Sequence, residues 1–229
     1  MEIYEFIGLP GAGKSTICNK LKEEIDFYSM EDLSEDLASM SKVKKMLLLL
    51  KFISTSPKLI KDLLFMILNN WKKDYTSINM GLEFLKIASY SEHITKSCKK
   101  NIIILDQGII QAFWAIFPHI KTTSGKEIEK ILKQISTIFK MNYIFVEVDK
   151  LRSIDRIKSR TKDNCVFKSL NDKEINNLLN HQMSVMEKIF IEIKNNSTEK
   201  LLIINGIDDL NRNSQEIINF INLDKVRVN

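Results

Sequence analysis

Three glycines near the N-terminus constrain this chain more than any other feature. The chain has seven glycines, and Gly8, Gly11 and Gly13 all fall in the segment Gly-Leu-Pro-Gly-Ala-Gly-Lys-Ser that runs from 8 to 15. This segment matches the pattern G-x-x-x-x-G-K-[ST], whose glycines let the backbone wrap a phosphate with N–H groups pointing inward. Chance produces the pattern in roughly one chain of this length in a hundred. We therefore start from the hypothesis of a phosphate-binding loop.

The residues of this loop have separate expected roles. We expect Lys14 to reach the β- and γ-phosphates of a nucleotide and Ser15 to hold a magnesium ion. A helix beginning near Ser15 would add the positive end of its dipole. The expected cofactors are ATP and Mg²⁺, and the residues expected to bind them are Gly8, Pro10, Gly11, Ala12, Gly13, Lys14, Ser15 and Thr16.

Short apolar runs separated by helical patterns predict a parallel α/β fold. We expect strands at 2–7, 102–105, 143–148 and 201–204 and a weak strand near 26–30. The expected helices are 15–25, a long helical region from about 36 to 100, 113–117, 126–140, 151–160, 175–193 and 215–221. Alternation of this kind implies one three-layer domain over 1–229, with a parallel sheet covered on both faces.

The residues that follow these strands are expected to meet at one edge of the sheet. Right-handed crossovers place the carboxyl ends of parallel strands on the same side, where open α/β sheets bind ligands. Gly8, Asp106, Asp149 and Asn205 are the residues concerned. Asp106 could orient magnesium or accept a hydroxyl proton, although an aspartate that only forms a turn is the alternative.

A basic segment follows the strand at 143–148. Arg152, Arg156 and Arg160 are spaced by four residues and would share one helical face. We expect the stretch from about 150 to 170 to be a lid, in which Arg152 and Arg156 bind the nucleotide and Arg156 and Arg160 neutralise charge during phosphoryl transfer. The alternative is a solvated face paired with Asp155 and Asp163.

Two glutamines after Asp106 are candidates for binding a second substrate. Gln107 and Gln111 are neutral, and an amide can hydrogen-bond a hydroxyl or a base-like group. Phe113, Trp114 and Phe117 follow closely; they could line the same pocket or belong to the core.

Composition narrows the class of protein. The net charge of +5 is too modest to indicate nucleic-acid binding without a recognition motif. The run 46–53 contains Lys51 and is far shorter than the roughly 20 residues of a membrane span. Three dispersed cysteines are typical of reduced thiols in a cytoplasmic protein. The expected partners are a nucleotide donor and a small-molecule acceptor, with a homodimer left open and no membrane partner.

The order of these features resembles the thymidylate-kinase-like branch of P-loop nucleoside and nucleotide kinases. The loop from Leu9 to Thr16 is similar to the phosphate loop of that group, and the stretch 156–160 is similar to its lid helix. Asp106 stands where such kinases carry an acid followed by arginine. The resemblance implies a five-stranded parallel sheet of order 2-3-1-4-5, ATP as donor, and Gly206 near the adenine.

Two departures from the family pattern leave the acceptor open. Gln107 replaces the arginine that helps to hold an acceptor phosphate in nucleotide kinases, and the helical region before Asp106 is unusually long. We therefore expect a neutral acceptor, such as a nucleoside or a sugar alcohol, over a nucleoside monophosphate. A lysine of the helical region, Lys42, Lys44 or Lys45, could replace the missing arginine.

Other P-loop activities remain as alternatives. These are a kinase of a sugar, an antibiotic or another metabolite, and an ATPase or GTPase without a small-molecule acceptor. The sequence lacks the Asn-Lys-x-Asp motif expected of a GTPase and the Ser-Gly-Gly segment expected of an ABC-type ATPase.

Overall fold

A computed structural model describes residues 2–70, 75–120, 124–159, 172–195 and 199–226 of the chain. The strands are β1 Glu2–Ile7, β2 Tyr28–Ser29, β3 Ile102–Leu105, β4 Met141–Glu147 and β5 Leu201–Asn205. The helices are α1 Lys14–Glu24, α2 Met30–Ser39, α3 Lys42–Thr55, α4 Pro57–Asn69, α5 Thr76–Ser97, α6 Ile109–Trp114, α7 Gly125–Ile138, α8 Lys150–Lys158, α9 Asp172–Asn195 and α10 Leu210–Val226, with a 3₁₀ turn at Phe117–His119.

The five strands form one parallel sheet of order β2-β3-β1-β4-β5, so the expected fold class and strand order are confirmed. Strand β1 is central and lies beside β3 and β4. Its residues from Ile3 to Ile7 are all buried, although neighbouring side chains of a strand point to opposite faces. Both faces of the sheet are therefore covered, as in a three-layer fold.

The long helical region between β2 and β3 consists of α2, α3, α4 and α5. Helix α2 begins at Met30, earlier than the expected start near 36, because Ser29 and Asp32 form a capping box. Helix α5 packs against α3, α4 and α6, and α4 also packs against α7. This region therefore builds one wall beside the carboxyl end of β3.

Several element boundaries differ from those expected. Helix α6 begins at Ile109, four residues before the expected start, because Glu5 accepts hydrogen bonds from its first-turn N–H groups. Helix α10 extends over 210–226 where only 215–221 was expected, and β4 begins two residues early, at Met141. Among the described residues, no helix combines the length and the apolar character needed to cross a membrane.

Candidate functional site

The glycine loop connects β1 to α1 at the carboxyl edge of the sheet. Gly8, Gly11 and Gly13 all have positive φ, of 150°, 81° and 100°. These backbone conformations are readily reached only by glycine, which explains why the segment repeats it. The loop therefore has the strand–loop–helix setting that the sequence pattern requires.

The side chain of Lys14 folds back over this loop. Its Nζ donates to the carbonyl oxygens of Gly8, at 2.7 Å, and Leu9, at 3.0 Å. The lysine is buried, and its ammonium group is held inside the curve of the loop by main-chain oxygens. A cation at this position favours an anion bound by the loop.

Ser15 and Asp106 meet across two elements of the fold. The Ser15 hydroxyl donates to Asp106 Oδ2 at 2.7 Å. Asp106 directly follows β3, which pairs with β1, and this pairing brings the aspartate to the start of α1. A hydroxyl and a carboxylate are oxygen ligands of the kind that Mg²⁺ prefers, so these two residues fit the expected metal site.

Helix α8 contacts the outer side of the glycine loop. Ser153 Oγ donates to the carbonyl oxygen of Pro10 at 2.7 Å. The Arg156 guanidinium donates to the carbonyl oxygens of Gly11, at 3.0 Å, and Gly206, at 3.2 Å. One arginine thus joins the glycine loop to the loop that follows β5.

The three arginines of the basic segment have different surroundings. Arg156 lies against the glycine loop, as described above. Arg152 is exposed and pairs with Asp149 of its own helix cap, with 3.3 Å between Nε and Oδ2. Arg160 lies outside the described residues, so its expected role stays a prediction. The expected role of Arg152 in binding the nucleotide also stays a prediction.

A cavity of about 1030 Å³ opens beside the glycine loop. Gln107 and Gln111 both line it, as does Trp114, whose indole N–H donates to the carbonyl oxygen of Gln182 at 2.9 Å. Phe113 and Phe117 are completely buried in the core, where their rings pack edge to face with centroids 5.1 Å apart. The remaining lining is mostly apolar and uncharged polar, with Met30, Met80, Glu83, Ile87, Ala112, Ala115, Pro118, His119, Glu174, Asn177, Leu178 and His181.

One residue beneath the site, Glu5, was not predicted from the sequence. Glu5 lies in the middle of β1 and is completely buried. Its carboxylate accepts hydrogen bonds from the backbone N–H groups of Gln111, at 2.8 Å, and Ile110, at 3.1 Å. A Cβ at Gly108 would lie 2.6 Å from the Glu5 carboxyl carbon, so the glycine of the Asp106-Gln107-Gly108 segment makes room for this carboxylate.

The environment of Glu5 changes its ionisation. Burial raises the pKa of Glu5 to about 7, against the lowering effects of the hydrogen bonds from Gln111 and Ile110 and of the Lys14 charge. A carboxylate between Tyr4 and Phe6, in the buried part of the strand, was the signal in the sequence. Its partners lie 105 and 106 positions further along the chain and could not be read from it.

Comparison with known proteins gives structural matches only. No protein-family model matches the chain, and no curated protein matches it. Deoxyadenosine kinase from M. mycoides, solved with products dCMP and a flexible dCDP bound, is 12% identical with a TM-score of 0.53 over 96% of this chain and 98% of that chain. Its structure with bound dATP is 13% identical with a TM-score of 0.53 over 96% and 99%. At this identity the similarity shows a shared fold along nearly the whole chain.

Proposed function

We propose that this protein transfers a phosphoryl group from ATP to a small, uncharged acceptor in the presence of Mg²⁺. The observation that carries the proposal is the Ser15–Asp106 hydrogen bond at the glycine loop, beside a cavity of about 1030 Å³. The fold is shared with a deoxyadenosine kinase whose solved structures hold nucleotides, which supports the same class of reaction here.

Each residue of the site has a role in this proposal. The backbone N–H groups of the loop and the Lys14 ammonium bind and orient the phosphates of the donor. Ser15 and Asp106 would hold a magnesium ion, which when bound would neutralise charge on the phosphates. The alternative role of Asp106 is to accept a proton from the acceptor hydroxyl. Arg156 holds the glycine loop against the loop that follows β5.

The charge of the cavity favours an uncharged acceptor. Among the described residues that line it, Lys14 is the one lysine or arginine, and it lies in the glycine loop. Glu83 and Glu174 add carboxylates to the same lining. An acceptor phosphate carries about two negative charges that arginine normally pairs. Gln107 and Gln111 instead offer amides suited to hydroxyl groups or a nucleobase.

The proposal includes the thymidylate-kinase-like branch of the kinase superfamily. A thymidylate-kinase-like arrangement implies an arginine after Asp106, and this chain has Gln107 there. A nucleoside therefore ranks above a nucleoside monophosphate, and a sugar or another metabolite is the next candidate. The size of the cavity favours any of these over an ATPase that uses water alone, because water needs no such space.

An acceptor screen tests the proposal. Release of ADP from ATP with Mg²⁺ would be measured with deoxyadenosine, thymidine, thymidine monophosphate and sugar alcohols side by side. We expect acceptor-dependent release with an uncharged compound, and a fall in kcat of about 10²-fold or more in Asp106→Asn, which keeps the shape but loses the basic carboxylate. A much larger kcat/KM for the monophosphate would overturn the uncharged acceptor, and acceptor-independent release would overturn the kinase.

A further inference from the structure

The outer face of helix α3 is apolar although it faces away from the core. Phe52 is buried, and Leu48 and Leu49 pack against the core from the inner side. On the opposite side, four large apolar residues follow one another at helical spacing and are 52–63% exposed, namely Val43, Met46, Leu47 and Leu50. A helix that is apolar on both sides normally buries both of them.

The next helix repeats the feature. In α4, Leu64, Phe65 and Leu68 are 47–59% exposed. Thirteen large hydrophobic residues are exposed in the described part of the chain, and the two helices from 42 to 69 hold seven of them. Scattered exposed leucines are ordinary. A concentration of exposed apolar side chains on two consecutive helices indicates a surface that another molecule or a membrane covers.

This helix pair also carries an unbalanced positive charge. Its single acidic residue, Asp62, pairs with Lys130 of α7 at 2.7 Å. None of its lysines forms an ion pair within the part of the chain that the structure describes. The lysines concerned are Lys42, Lys44, Lys45, Lys51, Lys58 and Lys61.

Three of these lysines occupy a position that the helix itself disfavours. Lys42, Lys44 and Lys45 lie in the first turn of α3, which has no acidic residue. The N-terminus of a helix carries partial positive charge, so cations there are destabilising unless an anion is close. The arrangement therefore fits a partner that is apolar inside and anionic at its surface.

We propose that the helix pair α3–α4 binds peripherally to the surface of an anionic lipid bilayer. Exposed leucine, methionine and phenylalanine side chains would enter the boundary between headgroups and acyl chains. The aliphatic stems of the flanking lysines would lie along the apolar surface, and their ammonium groups would reach the lipid phosphates. The run 46–53 is too short to span a membrane, but a helix bound at the surface does not need that length.

A second copy of the chain fits the same surface less well. In a two-fold symmetric dimer the same patch lies on both sides of the interface. Six lysines of one copy would then be brought close to six of the other with one acidic residue from each, and like charges oppose such contact. An anionic bilayer fits both features of the surface, because its phosphates have the opposite charge to the lysines and its acyl chains are apolar.

Vesicle co-sedimentation of the full chain tests the proposal. The vesicles would be phosphatidylcholine alone, or phosphatidylcholine with phosphatidylglycerol at about 7:3. We expect binding to the mixed vesicles to be at least about tenfold tighter than to phosphatidylcholine alone, and to weaken in about 0.5 M salt. Equal binding to both vesicles, or none to either, would overturn the proposal.

Matched variants separate the two features of the surface. The double variant Leu47→Ser, Leu50→Ser should lose most vesicle binding, whereas Ile191→Ser, an exposed apolar residue of α9, should not. The triple variant Lys42→Gln, Lys44→Gln, Lys51→Gln should bind about tenfold more weakly than a triple variant with the same net charge at Lys173, Lys188 and Lys194. A concentration-dependent dimer that the leucine variant dissociates, without vesicle binding by the wild type, would assign the surface to a second copy.

Discussion

Glu5 combines a buried carboxyl group with a position directly beneath the site. Its two carboxylate oxygens hold the first N–H groups of α6, which follows the Asp106-Gln107-Gly108 segment. The position of Asp106 and of both glutamines therefore depends on a side chain that cannot itself reach the cavity. Such a residue acts by positioning others. The free-energy cost of burying its carboxylate should be visible in the stability of the protein.

We expect the stability of the protein to fall as the pH rises through the range in which Glu5 ionises. Burial raises the pKa of Glu5 from 4.5 to about 7, so between these values the folded protein binds a proton that the unfolded chain releases. Stability from this group is fully present below pH 4.5 and is lost as the pH rises through 7. The difference in free energy of unfolding between the wild type and Glu5→Gln should change by about 3 kcal/mol between pH 4 and pH 8, in favour of the variant.

Urea unfolding of both proteins across that pH range measures this difference. Glu147→Gln is the control, because it removes an exposed carboxylate from the end of the neighbouring strand β4. If the profile of Glu5→Gln runs parallel to that of the wild type, the carboxyl of Glu5 does not change its ionisation on folding.

At the residue scale, the sequence predicted the members of the site better than their contacts. Ser15 and Asp106 could be expected to meet, because a loop motif and a strand end both point to the same sheet edge. The bonds from Arg156 to main-chain carbonyls could not be expected, because such partners leave no trace in side-chain pattern. Glu5 was missed for the same reason.

At the scale of elements, a small separate core holds helix α8 in position. Ile154 and Ile157 of α8 pack with Ile175 and Leu179 of α9, apart from the main core. An adjacent face of α8 bonds to the glycine loop through Ser153 and Arg156. The helix thus couples the loop to α9, which lines the cavity.

Replacing Arg156 with Ala should weaken binding of ATP with Mg²⁺. The change removes the hydrogen bonds to Gly11 and Gly206 that hold two loops together, and each bond from a charged donor contributes on the order of 1.5–3 kcal/mol. Since part of this is recovered by water, we expect Kd to rise about tenfold, as measured by isothermal titration calorimetry.

Arg212→Ala is the control for this prediction. Arg212 lies on α10, is exposed and pairs with Asp208, with 3.8 Å between Nη1 and Oδ2, so its loss should change Kd little. An unchanged Kd in Arg156→Ala together with a fall in kcat would indicate instead that Arg156 acts on the transferring phosphoryl group, as the lid hypothesis expects.

Element types could be predicted where the apolar pattern is strong. The amphipathic pattern of α7 and the runs of β1 and β3 led directly to the right elements. The ends of the elements were harder to predict, because α2 and α6 begin where a side chain caps their first turn. The capping pair Ser29–Asp32 is local in sequence and could have been recognised there. The contact of Glu5 with α6 forms only when the sheet has folded.

At the scale of the whole molecule, the cavity lies between the glycine loop and the helices α5, α6 and α9. Helix α8 and the loop after β5 are joined to the glycine loop through Arg156. The strand order could be inferred from the resemblance to a kinase family. The shape of the cavity wall that the helices form could not, because it depends on how the helices of the long region between β2 and β3 pack.

Binding of ATP with Mg²⁺ should stabilise the whole fold, since the glycine loop exists only in the folded chain. At a ligand concentration of about 100 times Kd the stabilisation is about 2.7 kcal/mol. For a domain of this size we expect a rise in Tm of about 5–10 °C, measured by differential scanning fluorimetry. Lys14→Ala should lose most of the rise, because we propose that its ammonium, held by the Gly8 and Leu9 carbonyls, binds the phosphates.

Lys20→Ala is the control and should keep the rise. Lys20 is a partly exposed lysine of the same helix and pairs with Glu23. The ligand-induced difference is compared within each variant, so a change in the stability of the unliganded protein does not enter. A full rise in Lys14→Ala would remove this lysine from nucleotide binding.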